Sequence, residues 1–154
     1  MVNDIIEDRN FKSIVENHVY EVIDFMIDKD QEFSITANIS SASFNPPIPE
    51  SIADGFPQYT LFTLANYTYE SIQLTQDDIS FEAGFGSENF GSVVTIPLSG
   101  IFQIVLDESI LYLNPTATVE KYFIKKDIEE DEPKDQESRS LNAFKMNNKN
   151  KKLF

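Results

Sequence analysis

Residues 79–98 read ISFEAGFGSENFGSVVTIPL, and this stretch indicates the fold most clearly. Apolar residues alternate with polar or small ones as far as residue 85, which is the period of a half-buried β-strand. Residues 86–91 begin and end with glycine and are typical of a hairpin connection, after which residues 93–98 return as a second strand. The stretch therefore predicts an antiparallel β-hairpin.

Further β-prone runs lie on both sides of this hairpin. Residues 33–39 alternate with period two, and residues 58–64 carry aromatic and β-branched side chains on both faces. Residues 72–74, 101–106 and 110–113 predict shorter strands. Altogether the pattern predicts six to seven short strands.

The N-terminal part has helical periodicity. Residues 8–28 carry apolar side chains at spacings of three and four, so we expect an amphipathic helix. His18 lies within that apolar stripe and is expected in the core or at an interface. Residues 44–57 contain four prolines and are expected to form a loop. Helix and strands together predict an all-β or β-rich α+β domain, either a small barrel or two packed sheets, over residues 1–126.

The charge of the chain is strongly negative and unevenly distributed. The 154 residues include 26 Asp and Glu against 12 Lys and Arg, a formal net charge of −14. Between residues 30 and 120 there are 12 acidic residues and no Lys or Arg. Nucleic-acid binding rests on cationic side chains that displace counterions from phosphates, so we expect no nucleic-acid partner. A negative surface that keeps the protein soluble is the simpler interpretation of the same charge.

Composition excludes several kinds of site. The chain has no Cys and only one His, which rules out disulfides, thiolate zinc sites and multi-histidine metal sites. Asp77 and Asp78 are neighbours and are expected in a turn rather than at a Mg²⁺ or hydrolytic site. The chain has no Gly-rich phosphate loop and no nucleophile motif. We therefore expect a protein that is not an enzyme and that holds no metal or cofactor.

The sequence also bears on location. No apolar run approaches the roughly 20 residues that are needed to cross a bilayer. Residues 1–4, MVND, lack the basic and apolar start of a secretory signal. We expect a cytoplasmic protein with no membrane partner.

Four segments in and around the hairpin occur in a distinctive order. Residues 58–61 read QYTL, residues 72–77 read IQLTQD, residues 79–86 read ISFEAGFG and residues 94–98 read VTIPL. This order resembles the stringent starvation protein B family. Members of that family carry Gln-Ile-Val-Leu, then Leu-x-Leu-x-x-Asp running into Phe-x-Ala-Arg-Phe-Gly, and then Val-Pro-Leu or Ile-Pro-Met. The resemblance covers about residues 11–118 and is strongest from residue 72 to residue 113.

The resemblance implies a fold and a function. The family fold is an N-terminal helix packed on a small, Sm-like two-sheet β barrel, and it forms a homodimer through that helix. Family members are adaptors that capture the peptide tag added by tmRNA (the SsrA tag) and deliver tagged substrates to the ClpXP protease. For this chain the resemblance implies a dimer helix and a peptide groove. The dimer-helix residues are Phe11, Val15, Val19 and Val22, and the groove residues are Phe81, Ala83, Gly84 and Phe85.

Ala83 matches the family's groove alanine. A larger side chain there would fill the space that the peptide backbone needs. Ordinary strand packing is the alternative interpretation of Ala83, and core packing is the alternative for Phe81 and Phe85. Gly84 stands where the family segment has Arg, so a peptide carboxylate would find no cationic partner in the groove. We therefore predict that a bound peptide is neutral or basic where it contacts the groove, or is held mainly by backbone and apolar contacts.

The family's second functional part is an acidic linker that ends in a short basic and apolar peptide, which docks on ClpX. Residues 127–137 hold seven acidic residues and one Lys, and residues 138–154 hold five basic residues and no acid. The resemblance thus implies a disordered, flexible tail over residues 127–154. It assigns ClpX docking to Lys151, Lys152, Leu153 and Phe154. The Leu-Arg-Val-Val-Lys docking peptide of the best-known members is absent.

Two other functions stay open at this point. The chain could be a peptide-binding or regulatory module that has the same fold but no coupling to ClpX. Alternatively, the acidic domain could mimic nucleic acid and block a basic protein.

Overall fold

The computed structural model describes residues 1–123. Its helices are α1 (Val2–Ile6), α2 (Arg9–Asp28), α3 (Glu50–Ala53) and α4 (Asn66–Glu70). Its strands are β1 (Phe33–Asn38), β2 (Ser43–Asn45), β3 (Tyr59–Leu64), β4 (Gln73–Leu74), β5 (Asp78–Phe85), β6 (Phe90–Pro97), β7 (Ile101–Leu106) and β8 (Ser109–Leu113). The predicted domain end at residue 126 and the predicted disordered tail, residues 127–154, lie outside the described residues.

The long helix α2 begins where its sequence provides a cap. The side chain of Asp8 accepts hydrogen bonds from the backbone N–H groups of Asn10 (2.7 Å) and Phe11 (3.3 Å). Four side chains at helical spacing are buried, and burial of each contributes about 1.5–3 kcal/mol. They are Val15, Val19, Ile23 and Met26. The predicted amphipathic helix is confirmed.

The strands form two antiparallel sheets of four. One sheet has the order β3-β1-β7-β8 and the other has the order β2-β6-β5-β4. The predicted hairpin is the β5–β6 pair, which runs in continuous register from Asp78 opposite Pro97 to Phe85 opposite Phe90. A β-rich α+β fold with an N-terminal helix is therefore confirmed. The two sheets share no strand within the described part of the chain, and they do not close into one barrel.

The core lies between α2 and the inner faces of the two sheets. Alternate residues of the hairpin supply one side of it, namely Ile79, Phe81, Val94 and Ile96, each of which is at most 1% exposed. Residues of β1 and β3, including Ile35 and Leu64, supply the facing side. Period-two alternation in the sequence thus corresponds to burial in the structure.

Short elements were missed by the sequence pattern. Residues 44–57, predicted as a loop, include the last two residues of β2 and all of α3. Helix α4 was not predicted, and eight strands are observed instead of six or seven. Elements of two to five residues are too short to show a period, so only their tertiary contacts define them. No helix in residues 1–123 has the length and apolar character that crossing a membrane requires.

Candidate functional site

A groove of about 540 Å³ lies along the turn end of the β5–β6 hairpin. Its hairpin lining includes Glu82, Gly84, Gly91 and Val93, all of them exposed. The neighbouring residues Phe81 and Val94 are buried. Since side chains alternate across a sheet, the groove opens on the face of the hairpin that points away from the core.

The floor of the groove is a pair of facing glycines. Gly84 lies directly opposite Gly91 in the β5–β6 ladder, and Glu82 lies opposite Val93. A Cβ atom built on Gly91 would meet no atom within 4 Å. The floor is therefore bare backbone at Gly91, where another chain can approach it closely.

One wall of the groove comes from helix α4. Tyr67 and Thr68 line it, and the Tyr67 hydroxyl donates a hydrogen bond of 2.6 Å to Glu82 Oε1. This hydrogen bond and the negative charge of Glu82 raise the pKa of Tyr67 above its ordinary value. Tyr67 is 64% exposed, so the wall presents an aromatic ring beside a carboxylate.

The opposite wall comes from the last residue of β2 and the residue that follows it. Asn45 and Pro46, joined by a cis peptide bond, line the groove on this side. The Ser92 hydroxyl donates a hydrogen bond of 2.9 Å to the Pro46 carbonyl oxygen. Asn45 also pairs with Val93, so this wall is attached to β6 by both backbone and side chain.

Strand pairing at the outer edge of β5 ends before the groove. Strand β4 pairs with β5 only at Ile79 and Ser80. Two residues farther on, the backbone N–H of Glu82 donates to the hydroxyl of Ser71 at 2.8 Å. Backbone groups alternate in direction along a strand, so Gly84 presents its N–H and C=O at this same edge. An extended peptide can pair with such an edge.

Asn89 occupies the space in which a side chain at residue 84 would lie. Asn89 has a positive φ of 55° in the hairpin turn, which asparagine tolerates better than most residues. A Cβ built on Gly84 would come within 2.5 Å of Asn89 Cγ. The groove therefore has the amide of Asn89 where the family pattern has an arginine side chain.

The structure separates the four residues that the sequence assigned to the groove. Ala83 and Gly84 both line it, but Ala83 alternates with Gly84 along β5 and its side chain packs partly against the core. Phe81 is only 1% exposed and packs on Phe62 with ring centroids 5.7 Å apart, so it belongs to the core and cannot contact a ligand, which corrects its assignment. Phe85 is half-buried in an aromatic cluster with Phe44 and Phe56, and it supports the groove from the core side.

Several groove residues were not singled out by sequence reasoning. They are Asn45, Pro46, Tyr67, Glu82, Asn89 and Gly91. Gly91 could have been found, because a hairpin centred on residues 86–89 puts residue 84 opposite residue 91. Tyr67 and Pro46 come from elements that the pattern did not predict, and no local signal places them here.

The residues assigned to the dimer helix serve mainly the protein's own core. Val15 is 4% exposed and Val19 is fully buried, while Phe11 and Val22 pack partly against the same core. Val15 and Val19 are therefore not available to a second subunit, which corrects their assignment. His18 is exposed rather than in the core, and its Nδ1 lies 3.4 Å from the Tyr112 hydroxyl.

Other apolar side chains of this region are exposed. Ile14 and Phe25 of α2 are 51% and 58% exposed. On the edge strand β8, Ile110, Leu111 and Leu113 are each about half exposed. The contact between His18 and Tyr112 brings the helix and this strand together.

Two remaining predictions stay untested. The residues assigned to ClpX docking, Lys151, Lys152, Leu153 and Phe154, lie outside the described residues. Within residues 1–123, no three His, Cys, Asp or Glu side chains are grouped so as to hold a metal ion.

No family model matches the chain, and no curated protein matches it.

Proposed function

We propose that this chain is a non-enzymatic adaptor that binds extended, tmRNA-type peptide tags on substrate proteins and delivers them to the ClpXP protease. The observation that carries the proposal is the groove above the facing glycines Gly84 and Gly91, beside the open edge of β5. An extended peptide needs close approach to a backbone and free hydrogen-bonding groups, and this groove offers both. The groove also includes Ala83, the residue that the sequence resemblance assigns to peptide binding.

We propose that the two sheets correspond to the Sm-like barrel of the stringent starvation protein B family. The order of a long N-terminal helix, a first strand and a central hairpin supports this correspondence. Delivery would depend on residues 127–154, whose acidic and then basic composition resembles the family's linker and docking peptide. Such a tether raises the concentration of the substrate at the protease without fixing the geometry of the complex.

We also propose that the adaptor is a homodimer that associates through Ile14 and Phe25 of α2 and through β8. An apolar stripe beside an edge strand is a surface that proteins normally cover. This interface replaces the Val15 and Val19 contacts that the helix pattern suggested. A dimer carries two grooves and two tethers, so it can engage a substrate and the unfoldase at two points each.

Peptide binding is tested by filling the groove. Fluorescence polarisation measures binding of the host's own tmRNA tag, labelled with fluorescein, to the full chain and to Gly91→Gln. The new side chain has free space around its Cβ, so it should fold normally and block the groove. Gly55→Gln is the matched control, because a Cβ there meets only one carbonyl oxygen at 3.4 Å and Gly55 does not line the groove. Equal affinity of all three proteins for the tag would reject peptide binding at this groove.

Delivery is tested with purified ClpXP and a tagged fluorescent protein. The full chain should accelerate degradation, and removal of residues 138–154 should abolish the acceleration while leaving tag affinity unchanged. A chain that binds the tag but never accelerates degradation would be a peptide-binding module without ClpX coupling.

A further inference from the structure

Among the described residues that line the groove, one has a carboxylate side chain, and a hydrogen bond fixes the orientation of that carboxylate. Glu82 is the one acidic or basic residue of the groove lining within the described residues. Its Oε1 atom accepts the hydrogen bond from Tyr67, whereas its Oε2 atom accepts none from any residue that the structure describes. Oε2 is thus free to accept a hydrogen bond from a ligand.

An exposed aromatic ring lies beside this carboxylate. The ring of Tyr67 is held by its hydroxyl at 2.6 Å from Glu82 and is largely solvent-exposed. Aromatic faces attract ammonium and guanidinium groups, and a carboxylate forms charge-assisted hydrogen bonds with them. The two side chains together match a cation and offer nothing to an anion.

The rest of the domain strengthens this preference. No Lys, Arg or His occurs between residues 30 and 120, and this range contains both sheets in full. The basic residues in the described part of the chain are Arg9, Lys12, Lys29 and Lys121, besides His18. Lys12 and Lys121 form ion pairs with Glu16 and Glu7. A carboxylate of a ligand would therefore meet an unopposed negative field in the groove, and a cation would be attracted.

The groove also has room for a long side chain next to Glu82. Gly91 leaves its side of the floor empty, and Val93, opposite Glu82, limits the groove laterally. In an extended peptide that pairs with the edge of β5, every second side chain points to the same face, about 7 Å from the next. One such side chain can reach Glu82 while its neighbour lies next to the Asn89 amide above Gly84.

We propose that the groove selects extended peptides that carry an Arg or Lys side chain, which pairs with Glu82 and packs on Tyr67. This specificity rests on the peptide-binding function proposed for the same groove. It reverses the charge preference that an arginine at residue 84 would give.

The test uses ten-residue, fluorescein-labelled peptides built from Ala, Ser and Asn. Arg, Gln or Glu is placed at each position in turn, and affinity for the full chain is measured by fluorescence polarisation. The Arg series should bind most tightly when Arg occupies one particular position. Glu82→Gln should lower the affinity for that Arg peptide by about five- to tenfold, since the ion pair between Glu82 and Arg is only partly desolvated. The affinity for the matching Gln peptide should stay unchanged.

The matched control is Glu108→Gln. Glu108 lies between β7 and β8 on the other sheet and is exposed, so its substitution removes the same charge outside the groove. It should change affinity for the Arg peptide by less than about twofold at 0.15 M salt, because distant exposed charges are screened. An equal loss in both variants would mean that overall charge, and not Glu82, favours the cation.

A second variant reverses the preference. Gly84→Arg combined with Asn89→Gly places a cation in the groove and removes the amide that would collide with it. Glycine is well suited to the positive φ of residue 89, so the turn should be retained. This double variant should bind the Glu peptide more tightly than the Arg peptide.

The outcomes separate the two proposals. If no peptide binds, or if Gly91→Gln leaves binding unchanged, the peptide-binding function itself is wrong. If Gly91→Gln abolishes binding but Arg, Gln and Glu peptides bind equally well to the full chain, peptide binding stands and the selection of a cation is overturned.

Discussion

The two glycines of the groove floor should respond in opposite ways to the same substitution. Gly84 and Gly91 face each other in one ladder, and neither has a positive φ. A Cβ on Gly91 meets nothing within 4 Å, whereas a Cβ on Gly84 would lie 2.5 Å from Asn89 Cγ. Alanine at residue 91 should stabilise the fold by about 0.4–1 kcal/mol, because it restricts the unfolded chain without strain.

Alanine at residue 84 should instead be destabilising. Asn89 must move out of contact, and overpacking of this kind typically costs about 1–3 kcal/mol. Thermal unfolding of the full chain, followed by circular dichroism, measures both effects. One kcal/mol corresponds to about 3–5 °C for a domain of this size, so the two variants should differ in melting temperature by roughly 4–20 °C.

A double-mutant cycle shows whether Asn89 is the cause. In the Asn89→Gly background the collision is absent, so Gly84→Ala should cost little or become stabilising. The expected coupling between residues 84 and 89 is about 1–2 kcal/mol. If Gly84→Ala costs the same with and without Asn89, or if both alanine variants shift the melting temperature in one direction, the proposed packing of the groove floor is wrong.

Three further predictions concern other parts of the domain. Phe25→Glu should convert the proposed dimer to a monomer in sedimentation velocity while the circular dichroism spectrum stays that of the folded chain, because Phe25 is exposed. Asn38→Ala should lower the free energy of unfolding, measured in urea, by about 2–4 kcal/mol and leave tag affinity unchanged. The buried Asn38 amide donates to Ala117 O at 2.8 Å and accepts from Gln58 at 2.6 Å, and Asn38 does not line the groove. The pKa of Tyr67, measured by NMR, should fall in Glu82→Gln. The raised pKa means that the Tyr67–Glu82 bond stabilises the fold fully below pH 10 and is lost as the pH rises through the folded-state pKa.

The hairpin and the long helix could be predicted because their periodicities are continuous over many residues. Asp8 caps the helix in the structure, and the alternation of β5 correctly separates buried from exposed residues. That same alternation puts Phe81 with the buried residues, so period-two reasoning favoured the core position that the structure shows. The resemblance alone suggested a groove contact for Phe81.

The walls of the groove could not be predicted in this way. Tyr67 lies on a helix of five residues and Pro46 follows a strand of three, so neither element has a recognisable period. They reach the groove through tertiary contacts, such as the bond from Ser92 to Pro46 O and the bond from Tyr67 to Glu82. Residue types alone cannot specify contacts between segments that are 15 to 46 residues apart.

The Asn89 side chain fills the space beside Gly84. This arrangement suggests how a groove of this kind can come to prefer a ligand of opposite charge while the protein backbone stays the same. Backbone recognition depends on the part of β5 beyond its pairing with β4 and on the bare backbone at Gly91, and neither requires a charged side chain. The sign of the ligand depends on which side chain fills the space above residue 84. An arginine there would oppose Glu82 and favour an anionic peptide. The neutral amide of Asn89 leaves Glu82 as the dominant charge, so the same edge and floor favour a cationic one.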